Sequence, residues 1–352
     1  MQLIPMQRSD GMRSMGEEAG HSDFLLKVEG LRTHFFSREG TVKAVDGISF
    51  DVKNGETLGI AGESGCGKSV TAQSILRIVP ENGKIVAGRI LFRSSSSEVV
   101  DLTKFDHKGS DIRRIRGKEI AMVFQEPMSA FSAVHTIGNQ IMEAVMLHQR
   151  ESKKEARKIA LDALQRVGMP KPEEIINAYP FNLSGGMRQR ALVAMALSCQ
   201  PALLIADEPT TAVDVTIQAN VLELIKELQR DLDMSLIMIT HDLGVIAEVA
   251  DRVLIMYLGK AVEEASVEGI FYRPRHPYTK GLLASVPQIG KGSRLKQRID
   301  PIRGSVPSPY EMPSGCLFHT RCSDFIPGLC DKLSPPMVEV EKDHYVACSL
   351  YR

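Results

Sequence analysis

The spacing of hydrophobic residues in the first third of the chain predicts mostly strands. Branched and aromatic residues from Phe24 to about Phe50 form a strand-like stretch, which a turn at residues 38–40 interrupts. The apolar run Thr57–Ala61 predicts a short buried strand, and the apolar positions of residues 70–78 follow helical spacing. Residues 88–92 and 120–124 are again strand-like.

The second half of the chain predicts helices that alternate with buried strands. Residues 137–167 carry an apolar helical stripe, opposite a polar face that includes Lys153 and Lys154. Apolar runs at 202–206, Ser235–Thr240 and Arg252–Tyr257 predict buried strands, and helical patterns at 216–232 and 244–249 separate them. This alternation predicts an α/β layered fold with a largely parallel sheet.

The two ends of the chain differ in composition from the middle. Residues 1–22 lack the apolar stretch of a signal peptide, which predicts a disordered leader on a cytoplasmic protein. After Pro274 prolines recur and the helical spacing is lost. We therefore predict a main domain over residues 23–287 and a small, irregular C-terminal module over residues 288–352.

Composition narrows the classes of protein. Hydrophobic residues make up 43% and charged residues 24% of the 352 residues, which is an ordinary globular balance and argues against general disorder. The 43 basic and 43 acidic residues cancel, so the basic excess of a nucleic-acid-binding protein is missing. No apolar run approaches the roughly 18 residues of a membrane-spanning helix.

A glycine-rich segment at residues 62–69 fits the phosphate-binding pattern G-x-x-x-x-G-K-[ST], between a predicted strand and a predicted helix. Glycines let backbone N–H groups turn towards the β-phosphate of a nucleotide, and the start of the helix adds its positive end. Lys68 is expected to contact the β- and γ-phosphates, and Ser69 to ligate Mg²⁺. The predicted nucleotide-binding residues of this segment are Gly62, Glu63, Ser64, Gly65, Cys66, Gly67, Lys68, Ser69 and Val70.

Two carboxylates follow the apolar run at 202–206. Asp207 suits Mg²⁺ binding, and Glu208 suits a general base that polarises the attacking water. The next predicted strand ends in Thr240, so His241 is expected at the same edge of the sheet, near the γ-phosphate.

A second anion-binding pattern, Leu183-Ser184-Gly185-Gly186, precedes a helical run. With this LSGG signature the sequence resembles the ATP-binding-cassette (ABC) ATPases. The resemblance implies an α/β, RecA-like P-loop NTPase fold, the ABC nucleotide-binding domain, with an inserted helical subdomain at about residues 128–190. It also implies that Ser184, Gly185 and Gly186 close over ATP held by an opposing subunit, so that a dimer sandwiches two ATP molecules.

Further elements of the resemblance extend over residues 24–288. Gln125 resembles the Q-loop glutamine, and His241 resembles the switch histidine that contacts the γ-phosphate. Asp214 resembles the D-loop aspartate at the dimer interface, and Phe35 the aromatic residue that stacks on adenine. The implied catalytic residues are Glu208, His241 and Gln125, and the implied Mg²⁺ ligands are Ser69, Gln125 and Asp207.

Residues 126–128 (EPM), 276–283 (HPYTKGLL) and 302–307 (IRGSVP) resemble the dipeptide/oligopeptide importer ATPases. The resemblance implies an ATP-hydrolysing subunit, bound peripherally at the cytoplasmic face of the cell (inner) membrane. Its implied partners are a second ATPase subunit, identical or homologous, two transmembrane permease subunits and an extracytoplasmic substrate-binding protein. Di- and oligopeptides are the expected cargo, but nickel, opine and oligosaccharide importers share this tail and stay open as alternatives.

Two other classes of function were weighed against the importer. Soluble cassette ATPases of DNA repair, translation or cluster assembly typically carry two cassettes, a long coiled-coil insertion, or no such tail. A nucleotide-gated module without turnover is expected to lack Glu208 or His241, and both are present. The sequence therefore favours the importer ATPase.

Four of the six cysteines, Cys316, Cys322, Cys330 and Cys348, lie close to the C-terminus. In a cytoplasmic chain such a group favours metal over disulfides. The intervening runs of 5, 7 and 17 residues are compatible with tetrahedral zinc or with a [4Fe–4S] cluster. The resemblance to the importer tail favours the cluster, with zinc and free or oxidised thiols as alternatives. A structural role is expected, and redox sensing is the other option.

Overall fold

Strands and helices alternate through most of the chain in the computed structural model, which describes residues 24–125, 130–209, 215–285 and 302–352. The strands, in chain order, are β1 Leu26–Ser37, β2 Gly40–Val52, β3 Thr57–Ala61, β4 Gly83–Arg93, β5 Val99–Asp101, β6 Ile120–Val123, β7 Leu203–Asp207, β8 Ser235–Thr240, β9 Arg252–Tyr257, β10 Lys260–Ser266, β11 Val338–Glu341 and β12 His344–Val346. The helices are Lys68–Ile75, Ser110–Ile115, Ile137–Gln149, Lys153–Arg166, Pro172–Ile175, Gly185–Leu197, Val215–Asp231, Leu243–Val249, Val267–Tyr272 and Pro277–Ala284.

The strands form two sheets. The smaller is antiparallel, with the order β2-β1-β4-β5. The larger has the order β11-β12-β10-β9-β3-β8-β7-β6, and β9, β3, β8, β7 and β6 run parallel within it. The predicted α/β class with a largely parallel central sheet is therefore confirmed.

The parallel strands are buried on both faces, which explains their almost unbroken apolar sequences. Along β7, Leu203 and Ile205 pack into the core on one face of the sheet, while Leu204 and Ala206 pack into the core on the other. Successive side chains of a strand point to opposite faces, so one short segment contributes to two cores. The carboxyl ends of these strands are thereby held in fixed positions.

The long helical stretch predicted over residues 137–167 is two helices, Ile137–Gln149 and Lys153–Arg166. Arg150 has a φ of 58°, in the left-handed region that ends a helix. Ser152 caps the second helix, because its Oγ accepts a hydrogen bond from the backbone N–H of Glu155 at 3.2 Å. The inserted helical subdomain at about residues 128–190 stays a prediction.

The C-terminal part of the chain joins the central sheet. Strand β12 pairs antiparallel with β10, with Glu263 opposite Val346, and β11 pairs with β12. The sequence patterns predicted neither these pairings nor β10. The predicted leader over residues 1–22 and the boundary near Gln288 lie outside the described residues.

Among the helices that the structure describes, none is long and apolar enough to cross a membrane.

Candidate active site

The phosphate-binding loop joins β3 to the helix Lys68–Ile75, as predicted. Gly62 and Gly67 have φ values of 152° and 103°, which favour glycine. A Cβ on Gly62 would lie 2.2 Å from the carbonyl oxygen of Met256, and one on Gly67 would lie 2.2 Å from that of Ala44. Both glycines are therefore required by contact with neighbouring backbone.

Lys68 is buried at the base of this loop, with 5% of its surface exposed. Its Nζ donates hydrogen bonds to the carbonyl oxygens of Gly62 at 2.8 Å and Glu63 at 3.1 Å. The ammonium group is thus held beneath the loop by loop carbonyls. A buried, hydrogen-bonded cation in this position is suited to binding the phosphates of a nucleotide.

Two of the predicted Mg²⁺ ligands are neighbours. The Ser69 hydroxyl donates to Oδ1 of Asp207 at 3.0 Å. Burial raises the pKa of Asp207, and the hydrogen bond from Ser69 opposes that shift. A hydroxyl and a desolvated carboxylate, side by side, are oxygen ligands of the kind that Mg²⁺ prefers. The residues present therefore fit the predicted ion.

Glu208 is contacted by both of the other predicted catalytic residues. Gln125 donates from Nε2 to Oε2 of Glu208 at 3.0 Å, and Nδ1 of His241 lies 3.1 Å from Oε1. Glu208 has a φ of 47°, a left-handed conformation that is uncommon outside glycine, and its N–H donates to Ile239 in β8. Backbone strain of this kind is concentrated at functional sites.

These groups face one cleft of about 630 Å³, within the roughly 300–1,000 Å³ typical of ligand pockets. Lys68, Ser69, Gln125, Glu208 and His241 all line it. The structure thus brings together residues from the loop and from the carboxyl ends of β6, β7 and β8, as in open α/β sheets generally.

The LSGG segment lies apart from this cleft. Ser184 caps the helix Gly185–Leu197, because its Oγ accepts from the N–H of Met187 at 3.4 Å. Ser184, Gly185 and Gly186 are absent from the described lining of the cleft. Ser184 and Gly185 are exposed whereas Gly186 is buried, and contact of this segment with ATP of an opposing subunit stays a prediction.

Phe35, the predicted adenine-stacking residue, is absent from the described lining of the cleft, and a Cβ on Gly83 would meet its ring at 2.8 Å, so the ring lies against Gly83. Asp214 falls outside the described residues. Cys66 is buried, and burial raises the pKa of its thiol, in keeping with the absence of any predicted chemistry for it.

Sequence reasoning missed two residues that contact the loop. The N–H of Glu63 donates to the hydroxyl of Tyr278 at 2.9 Å, and the Glu63 carboxylate forms an ion pair with Arg321. Tyr278 lies in the HPYTKGLL segment, which the sequence analysis used only as evidence of resemblance to the importer ATPases. Arg321 belongs to a short turn, His319–Arg321, and no local pattern distinguishes it.

The four C-terminal cysteines lie near one another. The N–H of Cys316 donates to the carbonyl of Cys330 at 2.8 Å. Burial, with smaller contributions from the charges of Asp324, Cys316 and Cys348, raises the pKa of the Cys322 thiol to about 11. Burial likewise raises the pKa of Cys316 and of Cys348, with Cys330 adding to both.

The side chains nevertheless do not show the geometry of a metal site in the part of the chain that the structure describes. Within the residues that the structure covers, no three His, Cys, Asp or Glu side chains are grouped closely enough to hold a metal ion. Zinc fits least, because a single ion needs all its thiolates at about 2.3 Å from one point. The prediction of an iron–sulfur cluster therefore finds no support in the side-chain positions.

Comparison with known proteins gives two family matches. Residues 45–211 match the family described as ABC transporter, and residues 262–330 match the oligopeptide/dipeptide transporter C-terminal region. The dipeptide transport ATP-binding protein DppD of Bacillus subtilis is 49% identical over 328 residues, which cover 93% of this chain and 94% of that protein. The probable peptide ABC transporter ATP-binding protein y4tR of Sinorhizobium fredii is 48% identical over 328 residues, which cover 93% of this chain and 95% of that protein.

Solved structures agree on the fold. The ATP-binding cassette MJ0796, in a dimer bound to ADP and Pi, has a TM-score of 0.61 at 24% identity and covers 69% of this chain and 98% of its own. The cbiO1 protein of Clostridium perfringens has a TM-score of 0.59 at 28% identity. The match covers 72% of this chain and 92% of that protein. Together with the two family matches and the near-complete alignments, these likenesses show that the chain belongs to the ABC transporter family, as an ATP-binding subunit of the branch that carries the oligopeptide/dipeptide transporter C-terminal region.

Proposed function

We propose that this subunit hydrolyses ATP to drive the import of di- or oligopeptides. The substrate class rests on relatives whose names specify peptide, dipeptide or oligopeptide transport and which align along nearly their whole length. Hydrolysis rests on a single observation, the convergence of Gln125 and His241 on the Glu208 carboxylate beside the phosphate loop. That carboxylate is the base, and its two neighbours fix its orientation.

We propose a role for each of the main polar side chains of the cleft. Lys68 and the loop amides hold the β- and γ-phosphates, while the buried glycine turns keep the loop in place. Glu208 accepts a proton from the attacking water as that water approaches the γ-phosphorus. In this proposal His241 contacts the γ-phosphate and Gln125 orients the water. Their position within hydrogen-bond distance of the base is compatible with both roles. Adenine stacking by Phe35 is part of the proposal, with no contact yet to support it.

Ser69 and Asp207 hold Mg²⁺ in this proposal, with Gln125 as a further ligand. The ion, when bound, would neutralise the negative charge that develops on the phosphates. Asp207 is suited to this because it is 4% exposed and its buried carboxylate gains from a cation.

The active unit is proposed to be a dimer of ATPase subunits at the cytoplasmic face of the cell membrane. Ser184, Gly185 and Gly186 would contact ATP bound to the opposing subunit, and Asp214 would lie at that interface. Two permease subunits and an extracytoplasmic binding protein complete the transporter. Support comes from the separation of the LSGG helix from the cleft within one chain and from the family to which the chain belongs.

Replacement of Glu208 by glutamine tests the catalytic assignment. The amide keeps the shape and removes the base, so we expect turnover of the assembled transporter to fall by about 10²–10⁴-fold while MgATP still binds. Glu98→Gln, an exposed residue before β5, is the matched control and should behave as wild type. Undiminished turnover in Glu208→Gln would refute the assignment.

A second experiment tests the substrate class. Binding protein loaded with peptides should stimulate turnover, and binding protein loaded with nickel, opines or oligosaccharides should not.

We further propose that Cys316, Cys322, Cys330 and Cys348 ligate a [4Fe–4S] cluster. The mutual electrostatic effects of these thiols support their being neighbours, and four-iron clusters are larger than a single ion, so their ligands lie further apart. Anaerobically purified protein should contain about four irons per chain and absorb broadly in the visible range. Cys330→Ser should reduce the iron content, and Cys199→Ser, at a buried site elsewhere, should not. Iron-free wild-type protein with intact thiols would reject the cluster.

A further inference from the structure

The C-terminal region reaches directly into the phosphate-binding loop. Arg321, in the turn His319–Arg321, donates from Nη1 to Oε2 of Glu63 at 2.7 Å and from Nη2 to Oε1 at 3.0 Å. The Arg321 guanidinium therefore binds both carboxylate oxygens of Glu63. Bidentate pairs of this kind specify orientation as well as contributing energy. A distance of 258 residues along the chain separates the two partners.

Arg321 is itself held firmly. Its side chain is 5% exposed. Its Nε donates to the carbonyl of Arg303 at 3.3 Å and its Nη1 to the hydroxyl of Tyr257 at 3.4 Å. The guanidinium also lies 5.9 Å from the centre of the Tyr257 ring and 6.0 Å from that of Phe318, within cation–π range. The arginine is thus a preorganised support for Glu63.

Glu63 connects this support to the nucleotide site. Its backbone N–H donates to Tyr278, and its carbonyl accepts a hydrogen bond from the ammonium of Lys68. The side chain, the N–H and the carbonyl of Glu63 therefore each form hydrogen bonds with a different residue. A change at the Glu63 side chain is transmitted through a single residue to the lysine that faces the phosphates.

The ion pair between Arg321 and Glu63 also reduces electrostatic repulsion between Glu63 and a bound triphosphate. A free carboxylate on the phosphate loop would repel the triphosphate of ATP, since like charges raise the energy of the bound state. The Glu63 side chain is 25% exposed and lines the cleft. Neutralisation by Arg321 makes an acidic residue compatible with phosphate binding at this position.

We propose that Arg321 is a positioning residue for the phosphate loop, through which the cysteine-bearing C-terminal region controls the affinity of the subunit for MgATP. This proposal rests on nucleotide binding at the loop, as proposed above. Cys316 and Cys322 flank the turn that carries Arg321, so any process that displaces those cysteines also displaces the arginine. Because coupling between two sites is reciprocal, bound nucleotide in turn stabilises the turn.

Arginine variants test the positioning role. We expect Arg321→Gln to raise the dissociation constant for MgATP about tenfold and to raise KM with little change in kcat. Arg321→Lys, which keeps the charge but loses the bidentate contact, should lie between this variant and wild type. Adding Glu63→Gln to Arg321→Gln should restore much of the affinity, because the unpaired carboxylate is gone. Arg273→Gln, which loses one exposed ion pair with Glu341 in the same region, is the matched control.

Thiol labelling of protein from which iron has been removed under reducing conditions tests the reciprocal effect, because the proposed cluster would occupy the same thiols. We expect saturating MgATP to slow the alkylation of Cys316 and Cys322 in wild-type protein and in Arg273→Gln, but not in Arg321→Gln. Mass spectrometry should assign each label, because Cys66 in the loop is also shielded by nucleotide. Equal affinities in Arg321→Gln and Arg273→Gln would overturn the inference. Should Arg321→Gln misfold, Arg321→Lys and the double variant decide the question in the same way.

The controls separate failure of the inference from failure of the proposed function. If the wild-type chain binds no MgATP, the proposed function is wrong. If the wild type binds MgATP but the alkylation rates of Cys316 and Cys322 are the same with and without it, the inference alone is wrong.

Discussion

In the phosphate-loop cleft the reacting groups sit at the ends of adjacent parallel strands, whereas the C-terminal cysteines are carried by turns and irregular segments. The cleft residues Lys68, Glu208 and His241 each follow a strand of the central sheet and converge without long connections. Cys316, whose N–H donates to the carbonyl of Cys330, directly follows Gly315, which has a φ of 68°. The first site is built by the sheet and the second by loop packing.

The difference teaches where function can be read from short motifs. The strand–loop–helix unit determines most of its own geometry, since hydrophobic burial fixes the strand and glycines permit the turn. Loop-built clusters depend on contacts between segments that are far apart in sequence, and small shifts separate their side chains. In keeping with this, the predicted catalytic groups converge, whereas among the described residues no three potential metal ligands are grouped closely enough to hold an ion.

Replacement of Lys68 by alanine is expected to have the largest effect and to act only on the cleft. It removes a buried cation and leaves the phosphates without their partner, so the affinity for MgATP should fall on the order of 100-fold. Nucleotide titration of the chain measures this. Lys158→Ala, which removes an exposed lysine paired with Glu155, should bind normally. Unchanged affinity in Lys68→Ala would show that the loop does not bind phosphate.

Acid is expected to weaken the junction between the two regions. His276 accepts a hydrogen bond from the N–H of Tyr278 and packs 5.8 Å from Phe318, and burial lowers its pKa from 6.5 to about 4. Below pH 6.5 the unfolded chain takes up a proton that the folded chain resists, so this contribution to stability is lost as the pH falls from 6.5 towards 4. At pH 5 the loss should be about 2 kcal/mol.

The pH dependence of unfolding in His276→Asn checks this expectation. Asparagine can cap the helix Pro277–Ala284 but does not titrate, so the free energy of unfolding should decline less between pH 6.5 and 5 than in wild type. Parallel curves for the two proteins would show that His276 does not titrate across this range.

Gly315→Ala is expected to have the smallest effect and to act on the C-terminal region. A Cβ there would lie 2.4 Å from the carbonyl oxygen of Cys330, on a left-handed residue that costs about 1–2 kcal/mol for alanine. Cys316 and Cys330 should therefore be alkylated roughly tenfold faster. Gly328→Ala shares the positive φ but meets no atom within 4 Å, and so isolates the backbone penalty from the clash. Equal alkylation rates in the two variants would show that the close contact has no role.

Sequence patterns predicted the central sheet, and the convergence of Lys68, Glu208 and His241 on one cleft, because their signals are local. The run Thr57–Ala61 and the loop at residues 62–69 are contiguous, and Asp207 and Glu208 directly follow a buried strand. The break at Arg150 was missed, because helical spacing continues across it and one left-handed residue leaves little trace in a pattern. Phe35 was chosen by likeness alone, and the structure turns it towards Gly83.

What the sequence by itself determined is the α/β class, the position of the phosphate loop between a strand and a helix, and the position of Glu208, the proposed base, at the end of a buried strand. Only the tertiary structure decided that Arg321 and Tyr278 support the loop through Glu63, and that β10 and β12 join the C-terminal part of the chain to the central sheet. The physical reason is the range of the interactions. Turn geometry and strand burial act between neighbours in sequence, whereas ion pairs and sheet pairing join residues that only the completed fold brings into contact.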